Sequence, residues 1–337
     1  MKEEKKMVQD VSGWMKLYSD GSVDRTWGGP SEARFMTEPE PPHEEVFKNG
    51  VAVKDILTGG EASLRVRMYL PKNVPVEDQH KLPILLHFHG GGFCISQPDW
   101  LIYYATYTRI ASSANAICVS IYLRLAPENR LPAACVDGLS GLKWLSRVAG
   151  GQDYEPWLSE HGDFGRIFLI GDSSGGNIVH DVAARAGGMD LGRARLAGAV
   201  MIHPGFCRAT RSKSEKEQPE SPFLTVEMVD KFLELAVPVG SDKNHPIVCP
   251  MGTAAPPLGE LSLPPVLLCL AGKDLLWDTQ IEYHAAMKEA NKKVQLFVNH
   301  GMPHAFYLNV IAVTTDAPTG LAMSSLVDCI SDFIKNH

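Results

Sequence analysis

RIFLIGDSSGGNIVHDVAARA, residues 166–186, joins an apolar run to a helical pattern through a short glycine-rich turn. The run Arg166–Ile170 is typical of a strand buried on both faces, and Asn177–Arg185 is typical of a helix. The turn between them, GDSSG at residues 171–175, has the pattern G-x-S-x-G. Glycines on either side of the serine permit a turn in which larger side chains would collide, and this turn presents the serine hydroxyl at a helix N-terminus. Because the bare pattern is common, it is the flanking strand and helix that make Ser173 a predicted nucleophile.

Short apolar runs alternate with longer helical patterns over most of the chain from residue 62 onward. Further strands are predicted at Leu64–Leu70, Pro83–His87, Ala116–Tyr122, Leu196–Ile202, Val266–Leu270 and Val294–Val298. Further helices are predicted at Trp100–Ala111, Pro132–Val148, Val226–Leu235, Thr279–Ala290 and Ala322–Ile334. This alternation is typical of an α/β fold in which helices cover both faces of a mostly parallel sheet.

Two segments interrupt the alternation. Residues 1–61 are polar, and residues 203–263 contain eight prolines. Ligands bind at the carboxyl ends of the strands in open α/β sheets, and an insertion at this point of the chain would cover that edge. We therefore predict one domain, residues 1–337, with a cap built from about residues 1–45 and 205–250.

The stretch HFHGGGF, residues 87–93, directly follows a predicted strand. Consecutive glycines leave backbone N–H groups free to converge on a developing oxyanion. We assign that role to the amides of Gly91 and Gly92, together with the amide of Ser174. A flexible turn and a metal site at His87 and His89 are the alternatives, but the two histidines have no third ligand nearby, and no metal is predicted.

A serine hydroxyl needs a base, and the base needs an orienting carboxylate, in the chain order serine, acid, histidine. Two histidines lie in the glycine-flanked loop after the strand Val294–Val298, namely His300 and His304, and spacing alone leaves both open. The preceding strand runs into Asp274 and then Asp278. Asp274 follows the strand end directly, whereas Asp278 suits the first turn of a helix.

Bulk composition narrows the class of partner. The net charge is 32 − 39 = −7, which argues against nucleic acid and anionic membrane surfaces. Seven scattered cysteines without a CxxC pair indicate a reducing compartment and no disulfide framework. The N-terminus lacks a signal-peptide pattern, and no apolar run approaches the roughly 18 residues that span a bilayer. A cytoplasmic protein without membrane contact, monomeric or weakly dimeric, is expected.

The chain resembles the plant carboxylesterases of the hormone-sensitive-lipase-like α/β-hydrolase group, and most of all the hypersensitivity-related serine hydrolases of nightshade plants. The matching stretches are VSGWMKLYSDGSVDRTWGGP, LHFHGGGFCIS, RLAPENRLPAA, FLIGDSSGGNIVH, IHPGF, RSKSE and GMPHAFYLN. The resemblance implies a serine esterase for small to medium carboxylic esters that needs no cofactor. It also implies Ser173, Asp274 and His304 as the catalytic triad. Two departures affect only the expected pocket: many relatives carry a proline where Leu275 stands and a tyrosine where Leu123 stands.

Two other functions occur on the same scaffold. Gibberellin receptors of this superfamily resemble the esterases but lose the catalytic histidine, which is present here as His304. Isoflavanone dehydratases use the scaffold as lyases. Ester turnover that depends on Ser173 would separate the esterase from both.

Aromatic side chains of the predicted cap suit an apolar substrate. We predict contact with substrate for Phe93, Phe206 and Phe223, and a wall from the tyrosine-rich helix Trp100–Ala111. Glu128 in RLAPENR is interpreted as structural, paired with an arginine, and Asp172 as a local hydrogen-bonding residue.

Overall fold

The computed structural model describes residues 5–59, 63–73 and 81–337. Its strands are β1 Met7–Val11, β2 Met15–Tyr18, β3 Val23–Asp24, β4 His43–Lys48, β5 Val51–Leu57, β6 Arg65–Pro71, β7 Leu82–Phe88, β8 Ile117–Ile121, β9 Gly162–Asp172, β10 Leu196–Ile202, β11 Val266–Ala271 and β12 Val294–Asn299. Its helices are α1 Leu101–Ala114, α2 Ala133–Ala149, α3 Pro156–His161, α4 Ser174–Ala186, α5 Lys213–Glu217, α6 Val226–Ala236, α7 Trp277–Glu289, α8 Val310–Thr315 and α9 Ala317–Asn336. Short 3₁₀ helices lie at Ser31–Thr37, Leu258–Glu260 and Phe306–Leu308.

The main sheet has the strand order β12-β11-β10-β9-β7-β8-β6-β5-β4. The strands from β12 to β8 run parallel, and β6, β5 and β4 are each antiparallel to their neighbours. Every residue of β7, β8 and β11 is buried, as expected for strands covered on both faces. The predicted α/β fold with a mostly parallel, helix-covered sheet is confirmed.

Two strands of the main sheet, β4 and β5, lie within residues 1–61 and were not predicted from hydrophobicity. β4 is an edge strand with five of its six residues exposed. β5 contains Lys54 and Asp55, which break the apolar pattern. Lys54 is nevertheless buried, because its ammonium lies 2.5 Å from a Glu155 carboxylate oxygen. Asp55 accepts hydrogen bonds at 2.8 and 2.9 Å from the buried Arg67 of β6. Ion pairs thus allow charged residues to be buried in β5, a strand that the hydrophobic pattern does not reveal.

The N-terminal strands β1–β3 form a separate antiparallel sheet beside α6, and both lie in the segments predicted as the cap. Lys231 of α6 donates a hydrogen bond of 2.7 Å to the Asp10 carbonyl. Arg25 ties the segment to the body: it donates to the Cys94 carbonyl at 2.6 Å and to both Glu128 carboxylate oxygens at 2.8 and 2.6 Å. The structural interpretation of Glu128 is therefore confirmed.

All seven cysteines are free thiols. Within the part of the chain that the structure describes, no helix has the length and apolar character to cross a membrane.

The turn from β9 into α4 brings two backbone segments unusually close. A β-carbon on Gly175 would lie 2.0 Å from the Phe88 carbonyl oxygen, and one on Gly171 would lie 2.4 Å from the Gly175 carbonyl oxygen. Real β-carbon contacts do not reach such distances, so any side chain here must push α4 away from β7.

We expect Gly175→Ala to lower the Tm by several degrees, because overpacking against an immobile carbonyl costs about 1–3 kcal/mol or more. The matched control is Gly188→Ala, since a β-carbon at Gly188 meets nothing within 4 Å. Thermal unfolding followed by circular dichroism measures both. Equal Tm values for the two variants would contradict the tight turn.

Candidate active site

Ser173 lies in the turn between β9 and α4 with φ 50° and ψ −123°. This backbone conformation is strained for a residue with a side chain, and neighbouring contacts must hold it. The Ser173 amide donates to the Ile202 carbonyl at 2.9 Å, and the Ser173 carbonyl accepts from the amides of Gly176 and Gly205 at 2.9 Å each. The hydroxyl is thereby held at the carboxyl edge of the sheet.

A chain of hydrogen bonds starts at this hydroxyl. Ser173 Oγ lies 3.0 Å from His304 Nε2, and His304 Nδ1 lies 2.7 Å from Asp274 Oδ2. His300 is exposed and takes no part. Asp278 is engaged elsewhere, where it accepts the Ser214 amide at 2.7 Å. The structure therefore brings together Ser173, His304 and Asp274, and it leaves the two rival residues outside.

Asp274 is fully buried at the end of β11. Burial acts to raise the pKa of its carboxyl, but attraction to His304 and the hydrogen bond from His304 outweigh it, so the pKa is lowered from its ordinary value. The Leu276 amide donates to Oδ1 and the Gln280 side-chain amide donates to Oδ2, each at 2.9 Å. Asp274 is therefore ionised at neutral pH and faces the imidazole as an acceptor.

The HGGG loop lies against the same hydroxyl. Gly91 and Gly92 have φ of 100° and 59°, which glycine adopts more readily than residues with a side chain, and both border the cavity above Ser173. The Phe93 amide donates to the Ser174 hydroxyl at 3.1 Å and so joins this loop to the start of α4. Ser174 is the first residue of α4, where backbone amides have no partner within the helix. The amides of Gly91, Gly92 and Ser174 thus lie on adjoining walls of one cavity.

A second buried aspartate lies beside the nucleophile. Burial raises the pKa of Asp172 to about 6. Tyr103 donates its hydroxyl to Asp172 Oδ2 at 3.3 Å, and His87 Nε2 lies 3.4 Å from Oδ1. Burial also lowers the pKa of His89 to about 4. Burial lowers the pKa of His87 as well, so both rings are neutral near pH 7. His87 bonds Ser120 and Asp172, whereas His89 Nδ1 lies 2.9 Å from the Gly90 carbonyl oxygen.

The cavity above Ser173 is lined mainly by apolar side chains of the HGGG loop, of α1 and of the two segments predicted as the cap. They include Phe93 and Phe223, two of the three predicted contacts. Phe206, the third, is a correction: it is fully buried, packs on Tyr283 at 4.5 Å between ring centroids and does not line the cavity, although its neighbours Gly205 and Cys207 do. Trp14 lines the cavity and was missed, because a single tryptophan in a polar segment gives no periodic signal. The water-accessible interior is about 70 Å³, room for on the order of five water molecules.

Three side chains at the site come close enough to suggest a metal centre. One donor atom each from His203, Asp274 and His304 lies within 4.8 Å of the others. Hydrogen bonds account for this clustering. His304 uses both ring nitrogens in the chain from Ser173 to Asp274, and His203 Nδ1 accepts the Ala305 amide at 3.0 Å.

Comparison with known proteins agrees with this geometry. A family described as having the alpha/beta hydrolase fold matches residues 85–308. A probable carboxylesterase 6 of Arabidopsis thaliana is 31% identical over 304 residues, 90% of this chain and 85% of the relative. A 2-hydroxyisoflavanone dehydratase of Glycyrrhiza echinata is 36% identical over 312 residues, 90% and 91% of the two chains. The structure of a hyperthermophilic esterase from the archaeon Pyrobaculum calidifontis matches with a TM-score of 0.67 and 26% identity, covering 84% of this chain and 85% of the esterase. Relationship to plant carboxylesterases is thereby established, while special closeness to the nightshade enzymes stays a prediction.

The two buried aspartates should titrate with opposite effects on stability. The folded pKa of Asp172 is raised from about 3.9 to about 6, so its favourable contribution is present at low pH and is lost as the pH rises through 6. The folded pKa of Asp274 is lowered, so its contribution is present above about pH 4 and is lost only below that.

We therefore expect the Asp172→Asn variant to gain about 2 kcal/mol of unfolding free energy relative to the unmodified protein between pH 4 and pH 7. The difference in unfolding free energy between the Asp274→Asn variant and the unmodified protein should stay nearly constant over this pH range. Denaturant unfolding at several pH values measures both differences. A difference in unfolding free energy between Asp172→Asn and the unmodified protein that does not change with pH would show that burial does not raise the pKa of the Asp172 carboxyl.

Proposed function

The chain belongs to the α/β-hydrolase family, and on this premise we propose that it is a serine carboxylesterase acting on esters of small to medium acids. The observation that carries the proposal is the hydrogen-bonded chain from Ser173 through His304 to the ionised Asp274, at the floor of an apolar cavity. A nucleophile, a base and an orienting acid in this order form an acyl-transfer site.

In the first half of the proposed reaction, Ser173 Oγ attacks the ester carbonyl while His304 Nε2 takes the hydroxyl proton. The amides of Gly91, Gly92 and Ser174 donate to the oxyanion that forms. Asp274 holds the His304 ring in place and stabilises its protonated state. His304 then gives the proton to the departing alcohol, and the acyl group remains on Ser173.

In the second half, water enters and His304 removes a proton from it. The water oxygen attacks the acyl carbon, the same three amides hold the second oxyanion, and the proton returns to Ser173 as the acid leaves. No step in this sequence calls for a cofactor. The partner we propose is the small ester alone. The cytoplasmic location and the monomeric or weakly dimeric state stay predictions from the sequence.

The cavity supports a limited acyl chain. Phe223, Phe232 and Trp14, all from the segments predicted as the cap, line it, and its interior has room for on the order of five waters. A volume of this kind suits an acyl group of a few carbons. Among the described residues that line the cavity there is no lysine or arginine, which favours an uncharged acyl group.

A second candidate function comes from the dehydratase relative, which is 36% identical to this chain. On the same site His304 would serve as base in the elimination of water, without a covalent bond to Ser173. Elimination of water that persists in the Ser173→Ala variant would favour a dehydratase over an esterase.

Ser173→Ala should lower kcat for a small activated ester by roughly 10⁴–10⁶-fold, because the members of a triad act as a unit. His304→Ala should be almost as damaging, and Asp274→Asn should cost roughly 10³–10⁴-fold. Initial rates with an acetate ester, on protein shown to be folded by circular dichroism, measure these losses.

The matched controls are the rival residues. His300→Ala and Asp278→Asn should keep most of the activity, because neither side chain belongs to the hydrogen-bonded chain. The reverse ranking would assign the base or the acid to the wrong residue, and turnover by Ser173→Ala close to that of the unmodified protein would refute the mechanism.

Acyl-chain length should show an optimum. We expect kcat/KM to rise modestly from acetate to butyrate or hexanoate esters, since each buried methylene contributes at most about 0.8 kcal/mol, and then to fall as the wall is reached. Phe223→Ala should move the optimum to longer chains, whereas Phe206→Leu should not, because the Phe206 side chain does not line the cavity. A series of esters of graded length measures this. A steady rise through palmitate would mean that the cavity opens into a long channel.

A further inference from the structure

The segment 202–205, which is the last residue of β10 and the turn after it, contacts the segments of all three proposed catalytic residues. It holds Ser173 through the backbone, by the two bonds of 2.9 Å with the Ile202 carbonyl and the Gly205 amide. It holds Asp274 through Gln280. The Gln280 side-chain amide donates to the Pro204 carbonyl at 3.0 Å and to Asp274 Oδ2 at 2.9 Å.

The same turn reaches the histidine loop through a side chain. The amide of Ala305, the residue after His304, donates to His203 Nδ1 at 3.0 Å. Ala305 has φ 53° and ψ 27°, a left-handed conformation that is unfavourable for alanine. Such a conformation persists only where neighbouring groups hold it. His203 supplies one of these restraints directly next to the catalytic imidazole.

The chemistry of His203 suits this task. Its ring is fully buried and packs against Phe306 and Tyr307 at 5.7 and 5.3 Å between ring centroids. Burial lowers the pKa of His203 to about 3, so the ring is neutral near pH 7 and Nδ1 keeps the lone pair that accepts the amide. Its Nε2 has no hydrogen-bond partner among the described residues. An aromatic hydrocarbon could fill the same space, so the distinct contribution of histidine is the acceptor at Nδ1.

We propose that His203 is a positioning residue that sets the His304 imidazole on Ser173 by accepting the hydrogen bond of the Ala305 amide. The kinetic part of this inference rests on the proposed esterase function. Without the acceptor, the loop loses its restraint and the imidazole moves off the line to Ser173 Oγ. Misplacement of a catalytic group by about 1 Å costs on the order of 10²-fold in rate.

Two substitutions separate the ring from its acceptor. His203→Phe keeps a ring and removes the acceptor, and we expect kcat to fall about 10²-fold with KM changed less than about twofold. His203→Asn removes the ring but keeps an acceptor near Nδ1 and tolerates the left-handed φ of 45° at this position. It should recover kcat to within about tenfold of the unmodified protein.

The matched control is His180→Phe. His180 is also a buried histidine whose Nδ1 bonds a neighbour, the Tyr283 hydroxyl at 2.9 Å, but its described hydrogen bond and ring contacts are with Tyr283 and Phe206 and not with the three proposed catalytic residues. The kcat of His180→Phe should stay within about threefold of that of the unmodified protein, because a loss of about 10²-fold requires misplacement of a catalytic group. If His203→Phe does not fold, His203→Ala takes its place in the comparison with Asn.

A readout that does not depend on turnover is the downfield proton resonance of His304 Nδ1–H, which lies in the bond to Asp274 and should vanish in Asp274→Asn. We expect it to broaden or disappear in His203→Phe and to remain in His203→Asn and His180→Phe. Unchanged kcat and an unchanged resonance in folded His203→Phe would overturn the inference, as would an Asn variant no better than Phe. If no ester is turned over in a Ser173-dependent way, the proposed function fails, while the resonance still decides whether His203 positions His304.

Discussion

The start of α4 packs so closely on β7 that a β-carbon at Gly175 would lie 2.0 Å from the Phe88 carbonyl oxygen. This contact sets the geometry of the whole catalytic edge. It brings the first residue of α4 against the loop that continues from β7, so that Phe93 can bond the Ser174 hydroxyl. It also forces Ser173 into its strained backbone conformation, with the hydroxyl pointing out of the sheet. The nucleophile and the proposed oxyanion amides thus come from one steric constraint.

Sequence patterns predicted the parts of the fold that bury apolar surface evenly. The central strands read as unbroken apolar runs because helices cover both of their faces, and each of the seven predicted strands is present. β4 and β5 were not predicted, since an edge strand keeps polar residues and Lys54 is buried only through its partner Glu155. The pairing of two distant charges cannot be recognised from either residue alone.

In the candidate site too, local motifs could be predicted from the sequence, whereas contacts between distant parts of the chain could not. Local motifs located Ser173 and the HGGG glycines, because each depends on neighbours in the chain. Spacing left His300 and His304 open, and only the resemblance to a known family chose between them. The pocket was harder still: Phe206 and Phe223 both belong to the predicted cap, yet only Phe223 lines the cavity. Which face of a loop turns inward depends on packing over long separations in sequence, as with Trp14 from the N-terminal segment.

Electrostatic differences between two buried carboxyls link the fold to the chemistry. Asp172 and Asp274 are equally inaccessible to water, and burial raises the pKa of each. The pKa of Asp274 is lowered overall, because attraction to His304 and the hydrogen bonds from His304 and the Leu276 amide outweigh the effect of burial. Asp172 has weaker partners, a phenol and a neutral imidazole at 3.3 and 3.4 Å, and its pKa stays raised. These donors keep the pKa of Asp274 low, and it is this carboxylate that lies against His304 and balances the charge of its protonated ring. Since the Asp274 donor Gln280 is itself held by the turn after β10, the position of this charge is fixed by the same turn that holds Ser173.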